Sequence, residues 1–171
     1  MEQFSTFDRA GRALGLVARR EVHKRGLWHK SAQVFLFNSH GQLLVQKRST
    51  SKDLYAGLWD YSVGEHLLPE ESFRQGALRG LGEELGVYDG KLKAIGELRW
   101  VRLESPGSQD CEIQQAFRCA YDGEIVFNTA EVSAIKFVDL AELDVRLAAK
   151  SNLFTPWLAE DIRLFRSLFP R

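Results

Sequence analysis

A chain of 171 residues suits one domain, large enough to bury its own core without disulfide staples. Its 44% apolar and 27% charged residues exclude a disordered or low-complexity chain. Lys plus Arg and Asp plus Glu both number 23, so nothing in the net charge attracts nucleic acid or a membrane surface, and an anionic ligand needs a local cluster.

The first thirty residues hold no apolar run long enough for a signal peptide or membrane span. Cys111 and Cys119 stand eight residues apart in what reads as one strand. That is about 26 Å of extended chain, beyond disulfide reach. Free thiols suit a reducing compartment, so a soluble, cytoplasmic protein is expected.

In chain order, residues 4–19 read as a hairpin turning at 8–12, within an N-terminal hairpin of about 1–20. Residues 33–37 and 43–46 carry strand-forming side chains joined by the turn residues 38–41. Residues 59–63 read as a further short strand. Over 72–85 the period changes: Phe73, Ala77, Leu78, Leu81 and Leu85 recur at three and four, which predicts an amphipathic helix. Ser72 suits its N-cap and Gly86 its stop. Gly80 and Gly82 inside it cost roughly 1 kcal/mol each relative to Ala, so something besides propensity must hold it.

Strand-like stretches follow near 94–103, 113–121 and 134–138, then a short helix over 139–147. The chain should close with an amphipathic helix over 154–168 (about 155–169 in outer bounds), with Thr155 as N-cap and Pro156 at its first position. Pro69, Pro106 and Pro170 fall between patterned segments, as turn residues do. The pattern indicates α+β: one domain over 1–171, a mixed sheet with helices packed on its faces.

Chemistry concentrates in residues 64–87. Glu83 and Glu84 follow Arg79 by one helical turn, and adjacent carboxylates gain nothing unless a cation lies beside them. Hard oxygen donors of this kind suit Mg²⁺ or Mn²⁺, which take phosphate oxygens as further ligands. Glu71, eight residues before Arg79, can brace the segment through an ion pair. A bare Glu-Glu pair is more often a solvated helix end, but this pair does not stand alone.

The segment resembles the Nudix box, G-x5-E-x7-R-E-U-x-E-E-x-G-U with U a bulky aliphatic residue. The match holds at Glu71, Arg79, Leu81, Glu83, Glu84, Gly86 and Val87. Two positions depart: Glu65 stands for the opening glycine, with Gly64 before it, and Gly80 stands for the glutamate after the arginine. Glu70 has the right distance from Gly64 but the wrong one to Arg79, so Glu71 is the box residue. The resemblance implies metal binding by Glu83 and Glu84, joined by a backbone carbonyl at Gly64, and a structural brace of Glu71 with Arg79. In many family members the residue at position 80 is a metal ligand or candidate base, so its loss implies weaker metal binding or a base from another loop.

Beyond the box, the segments around His23–His29, 46–53, 57–62, Arg99, Asp110 and Phe154–Trp157 look like the branch that includes type I isopentenyl-diphosphate isomerase. Those isomerases hold a metal with three histidines and two carboxylates and shuttle protons with a cysteine and a glutamate. By position His29, His66, Asp110 and Glu112 fall on that metal set, with His23 within one residue of it; His40 lies in a turn. Asp110 and Glu112 share one face of a strand by its period of two. The competing reading is that His23 and His29 bond nearby backbone and never meet His66. Arg48 and Lys52 correspond to basic residues that hold the substrate diphosphate. The isomerase cysteine position is Gly64, which has no ionisable group, so two-sided protonation of an alkene cannot run by that route.

The resemblance therefore implies a metal-dependent hydrolase, with Mg²⁺ or Mn²⁺, cleaving a phosphoanhydride in a small nucleoside or isoprenoid diphosphate. Glu83, Glu84 and Glu112 would be its catalytic groups, a metal-activated water its nucleophile, and Glu112 a base. An isomerase with altered acid–base residues and a non-catalytic binding module are the alternatives. No nucleic-acid or membrane partner is expected, and a homodimer is left open.

Overall fold

The computed structural model describes residues 2–52, 54–105 and 108–170, so Asp53 and the turn expected at Pro106 lie outside the described residues. Nine strands join one mixed sheet, with four α-helices among the described residues.

The first hairpin pairs β1 (Gln3–Phe7) with β2 (Ala13–Ala18), where the sequence expects it. Sequence patterning missed α1 (Arg19–Arg25), which Gly26 ends in the left-handed conformation (φ 59°). The spine is β3 (Trp28–Phe37). It runs parallel to β8 (Ser108–Ala120), from Trp28 opposite Cys111 to Phe37 opposite Ala120, and antiparallel to β6 (Val63–His66). β7 (Lys91–Ser105) pairs antiparallel with β8, while β4 (Leu43–Arg48) pairs with β5 (Trp59–Asp60) and β9 (Val132–Val138).

The single strand expected over 59–63 is two strands, β5 and β6, with different partners. Ser62 causes the break. Its buried hydroxyl accepts from the Leu36 amide at 2.8 Å and donates to the Leu44 carbonyl at 2.7 Å, replacing ladder bonds while the chain changes partner.

Alternation along β3 builds two cores. Ala32, Val34 and Leu36 face α2 (Phe73–Leu85) and pack with Ala77, Leu81 and Leu85. Phe35 and Phe37 face the other way, against α3 (Leu140–Ala149) and α4 (Leu158–Phe165), in a cluster with Leu143, Ile162 and Phe169. Helices on both faces of a mixed sheet are the expected α+β arrangement.

α2 starts at Ser72 with a capping box: the Ser72 side chain accepts from the Gln75 amide, and the Gln75 side chain accepts from the Ser72 amide. Its internal glycines are explained by contact. A Cβ on Gly80 would lie 2.7 Å from Val63, so a small residue there lets the helix settle close to β6, while one on Gly82 would lie 2.6 Å from the ring of Tyr88 in the segment after the helix.

The C-terminal helix begins later than the sequence predicts, at Leu158 rather than near 155. Thr155 does not cap it with its side chain. The Thr155 hydroxyl instead donates to Asp60 Oδ1 at 3.0 Å, beside Trp157 Nε1 at 2.8 Å, and ties the segment to β5. Cys111 and Cys119 are both buried, free thiols of β8. No helix among the described residues is long and apolar enough to cross a membrane.

Candidate active site

A single open cleft of about 1340 Å³ is lined by residues of the 64–87 segment, by His23, His66, Asp110 and Glu112, and by Arg48 and Lys52. The site residues expected from sequence therefore share one cleft, save His29 and the brace residue Glu71, which stand behind its wall.

The brace forms as the spacing predicts. Arg79 Nε and Nη2 donate to the two oxygens of Glu71 at 2.8 and 3.0 Å, and Nη2 also donates to the His66 carbonyl at 2.8 Å. Arg79 Nη1 sits 3.2 Å from Glu83 and 3.2 Å from Glu65. The hydrogen bonds from Arg79 hold the Glu71 carboxyl below the usual range. The planar fork suits this, because one guanidinium can address several acceptors at once.

Glu83 and Glu84 point differently, as neighbours on a helix must. The Glu83 side chain is 58% exposed and turns toward Arg79. Glu84 is buried and accepts from Gln46 Nε2 at 2.7 Å. Burial pushes the Glu84 carboxyl up to about 7, against the opposing pull of Lys52 and Gln46. Glu65 is likewise raised by burial, with Arg79 opposing. Hard oxygen donors with unmet negative charge, opening on a cleft, fit a divalent cation with phosphate ligands.

The second cluster is assembled by sheet register. Pairing sets His29 opposite Glu112 and Ser31 opposite His66, and β1 brings Thr6 opposite His29. Ligand atoms of His23, His29, His66 and Asp110 all lie within 4.8 Å of one another. Ligands on one ion at ~2.1 Å are at most about 4.2 Å apart, so a small contraction would close the set. The reading in which His23 and His29 never meet His66 is thereby overturned: their rings lie 5.4 and 4.8 Å from the His66 ring.

His29 is fully buried, stacked on Phe4 at 5.3 Å, with Nδ1 beside the Leu27 carbonyl at 3.0 Å. A ring that donates from Nδ1 turns a bare Nε2 lone pair inward, and burial with the neighbouring His66 lowers its pKa to about 3. His29 Nε2 and Asp110 Oδ1 lie 3.3 Å apart, yet neither makes a hydrogen bond. Buried polar atoms left so cost about 1–3 kcal/mol each, which fits a set of donors built around a cation.

Glu112 supports the cluster. It accepts from Ser31 Oγ at 2.9 Å, from Gln114 Nε2, and lies 2.8 Å from His66 Nε2. Burial alone would raise its pKa; the bond and charge of His66 outweigh that and pull it down to about 2. Asp110 is pushed the other way, up to about 7, by burial and by Glu112.

The two expected phosphate-clamp residues are engaged within the protein. Arg48 donates to the Leu54 carbonyl at 3.0 Å and reaches Asp60 at 3.4 Å; Lys52 is paired with Glu131. Sequence reasoning missed Glu131, Asp60 and Asp161. Asp161 accepts from Arg99 at 2.6 Å and from Gln33 at 3.0 Å. No local spacing announces them, since each partner comes from a distant element.

Comparison with known proteins agrees with this geometry. The family model described as NUDIX domain matches residues 27–158. The chain is 31% identical over 158 residues to an isopentenyl-diphosphate Delta-isomerase 2 of Aromatoleum aromaticum, covering 92% of this chain and 83% of that protein. It is 33% identical over 165 residues to an uncharacterised Nudix hydrolase of Pseudomonas aeruginosa, covering 96% and 93%. A crystal structure from Deinococcus radiodurans superposes with a TM-score of 0.77 at 22% identity, covering 95% of this chain and 98% of that one. The sheet and the braced helix define a Nudix fold, whose families use divalent metals. The chain belongs to the NUDIX domain family.

Proposed function

We propose that the protein is a metal-dependent hydrolase that cleaves a phosphoanhydride bond in a small diphosphate-containing substrate of the nucleoside or isoprenoid type. The observation that carries this reading is the buried Glu84 beside the Arg79-braced Glu83, both on the cleft. Mg²⁺ or Mn²⁺ bound there would polarise the diphosphate and supply a nucleophilic water. Arg79 keeps Glu83 oriented, Gln46 keeps Glu84 oriented, and the Gly64 carbonyl is available as a further ligand. Arg48 and Lys52 would contact the diphosphate after exchanging Asp60 and Glu131 for it. Glu112, held ionised by His66, is a weak base as it stands and could take a proton only after giving up its bond to His66.

The test is release of inorganic phosphate, with formation of the matching monophosphate, from a panel of small diphosphates with Mg²⁺. Turnover of at least one compound that disappears with EDTA is expected; no turnover of any compound with any divalent metal would leave only a binding module.

A second reading, isomerisation of isopentenyl diphosphate, is favoured by the histidine cluster and by relatives that carry that name. Gly64 argues against it. A Cβ there would lie 3.2 Å from the Tyr61 hydroxyl, so the tyrosine covers the position from which a thiol would act. Burial raises the Tyr61 pKa well above the ordinary value, leaving it a poor acid. Incubation with isopentenyl diphosphate should yield no dimethylallyl diphosphate, and its appearance would reverse the order of the two readings.

We assign the cluster of His23, His29, His66, Asp110 and Glu112 to a second, imidazole-rich metal position. His66→Gln should weaken Co²⁺ binding, followed by its visible absorption, by about 100-fold, at least the loss known for outer-shell partners. Unchanged Co²⁺ spectra in that variant would remove the second metal.

A further inference from the structure

The 64–87 segment departs from its family's pattern twice: it gains a carboxylate at Glu65 and lacks one at Gly80. We propose that the two departures are one exchange, in which the third metal-binding carboxylate has moved from the helix to the facing strand and is now Glu65. The inference rests on the hydrolase reading and names a residue that the box pattern does not assign to the metal.

A Cβ built on Gly80 would lie 3.0 Å from Glu65 Cβ, 3.3 Å from Glu65 Cγ and 2.7 Å from Val63 Cγ1. The stem of Glu65 therefore occupies the volume that a side chain at position 80 would need. Glycine at 65 would remove two of these three contacts and leave Val63 Cγ1, which would still have to shift to admit a side chain from the helix. Glutamate at 65 and glycine at 80 are therefore sterically matched.

Strand alternation fixes the direction of Glu65. Along β6, Val63 and Glu65 share one face, while Gly64 and His66 share the other. Val63 packs in the α2-side core with Leu81 and Ala77, so Glu65 also faces α2 and the box. His66 faces the histidine cluster instead, which keeps the two metal positions on opposite faces of one short strand.

Charge supplies the reason for a cation. Glu65, Glu71 and Glu83 all share the single guanidinium of Arg79, and Glu71 already takes two of its nitrogens. Glu84 adds a further carboxylate on the same cleft, while Lys52 is neutralised by Glu131. One guanidinium cannot compensate four carboxylates, and partly buried negative charge of this kind is expensive unless a cation joins it. Glu65, 16% exposed at its side chain and reaching Arg79 Nη1 beside Glu83, is where the missing ligand would be replaced.

The experiment moves the carboxylate back. The histidine cluster is first filled with one equivalent of Zn²⁺, which imidazole sites prefer and which is silent in electron paramagnetic resonance. Mn²⁺ is then titrated by that resonance into the parent, Glu65→Gln, Glu65→Gly, Glu84→Gln and the double variant Glu65→Gly with Gly80→Glu, with melting temperatures recorded for each.

Glu65→Gln is expected to weaken Mn²⁺ binding about 10–100-fold while keeping the parent's fold, because the amide is isosteric but uncharged. Glu65→Gly should lose as much, and adding Gly80→Glu to it should restore Mn²⁺ affinity and turnover together. A merely structural partner of Arg79 would not be rescued from the helix. Parent-like affinity in Glu65→Gln, alongside loss in Glu84→Gln, would overturn the exchange and spare the hydrolase reading. Parent-like affinity in both would overturn the exchange and the hydrolase reading together.

Discussion

Glu84→Gln is expected to lower metal-dependent turnover by at least about a hundredfold and, at the same time, to stabilise the metal-free protein above neutral pH. Both effects come from one buried carboxylate. Burial holds its pKa at about 7 against an ordinary 4.5, so between those values the folded chain carries a proton that the unfolded chain has lost. Stability then falls as pH rises through that window, and the cost of the ionised group is fully developed above it. The shift corresponds to about 3 kcal/mol. For a domain of this size that is worth roughly 6–12 °C in melting temperature.

Glutamine cannot ionise but can still accept from Gln46, so the variant should melt higher than the parent at pH 8 in EDTA and close to it at pH 4.5. His29 pulls the other way in both proteins. Its folded pKa, lowered to about 3, removes stability as pH falls below 6.5, and this cancels in the difference between variant and parent. Melting curves with EDTA at the two pH values decide the matter. Equal parent and variant curves at pH 8 would mean that Glu84 carries no buried charge and is no metal ligand held in readiness. A functional group that destabilises its own fold is what a site selected for binding predicts.

The box was legible in the sequence because its parts lie on one helix and the loop before it, where spacing converts directly into geometry. Ser72, Leu81, Leu85 and Gly86 announced the helix and both its ends. The histidine cluster was legible only through resemblance. His23, His29, His66 and Asp110 come from α1, β3, β6 and β8, and the register that unites them is a property of the sheet, not of any local pattern. α1 escaped notice because seven residues with one buried side chain, Val22, offer no period to read. The C-terminal helix was read too early because Thr155-Pro156 is a good capping signal whose hydroxyl is taken by Asp60. Glu65 was visible only as a misfit, and its meaning depends on lying against Gly80, which no linear spacing records.

Removal of Arg79 should destabilise the fold by as much as the buried charge of Glu84 does. Arg79→Ala strips partners from Glu71, Glu65, Glu83 and the His66 carbonyl at once. Losing one member of a largely buried ionic group costs about 3 kcal/mol, or roughly 6–12 °C in melting temperature here. Arg79→Lys should recover less than half, because a single ammonium cannot span both Glu71 oxygens. A drop below about 2 °C for the alanine variant would show that the brace contributes nothing beyond surface pairing.

The metal response separates charge from packing. Without its guanidinium the carboxylate group is more negative, so a divalent cation that binds only the folded state should restore more stability to the variant than it adds to the parent. Millimolar Mg²⁺ is therefore expected to close part of the gap between the two melting temperatures. If it shifts both by the same amount, Arg79 and the metal do not share the same carboxylates, and the brace and the catalytic cradle are independent parts of the site.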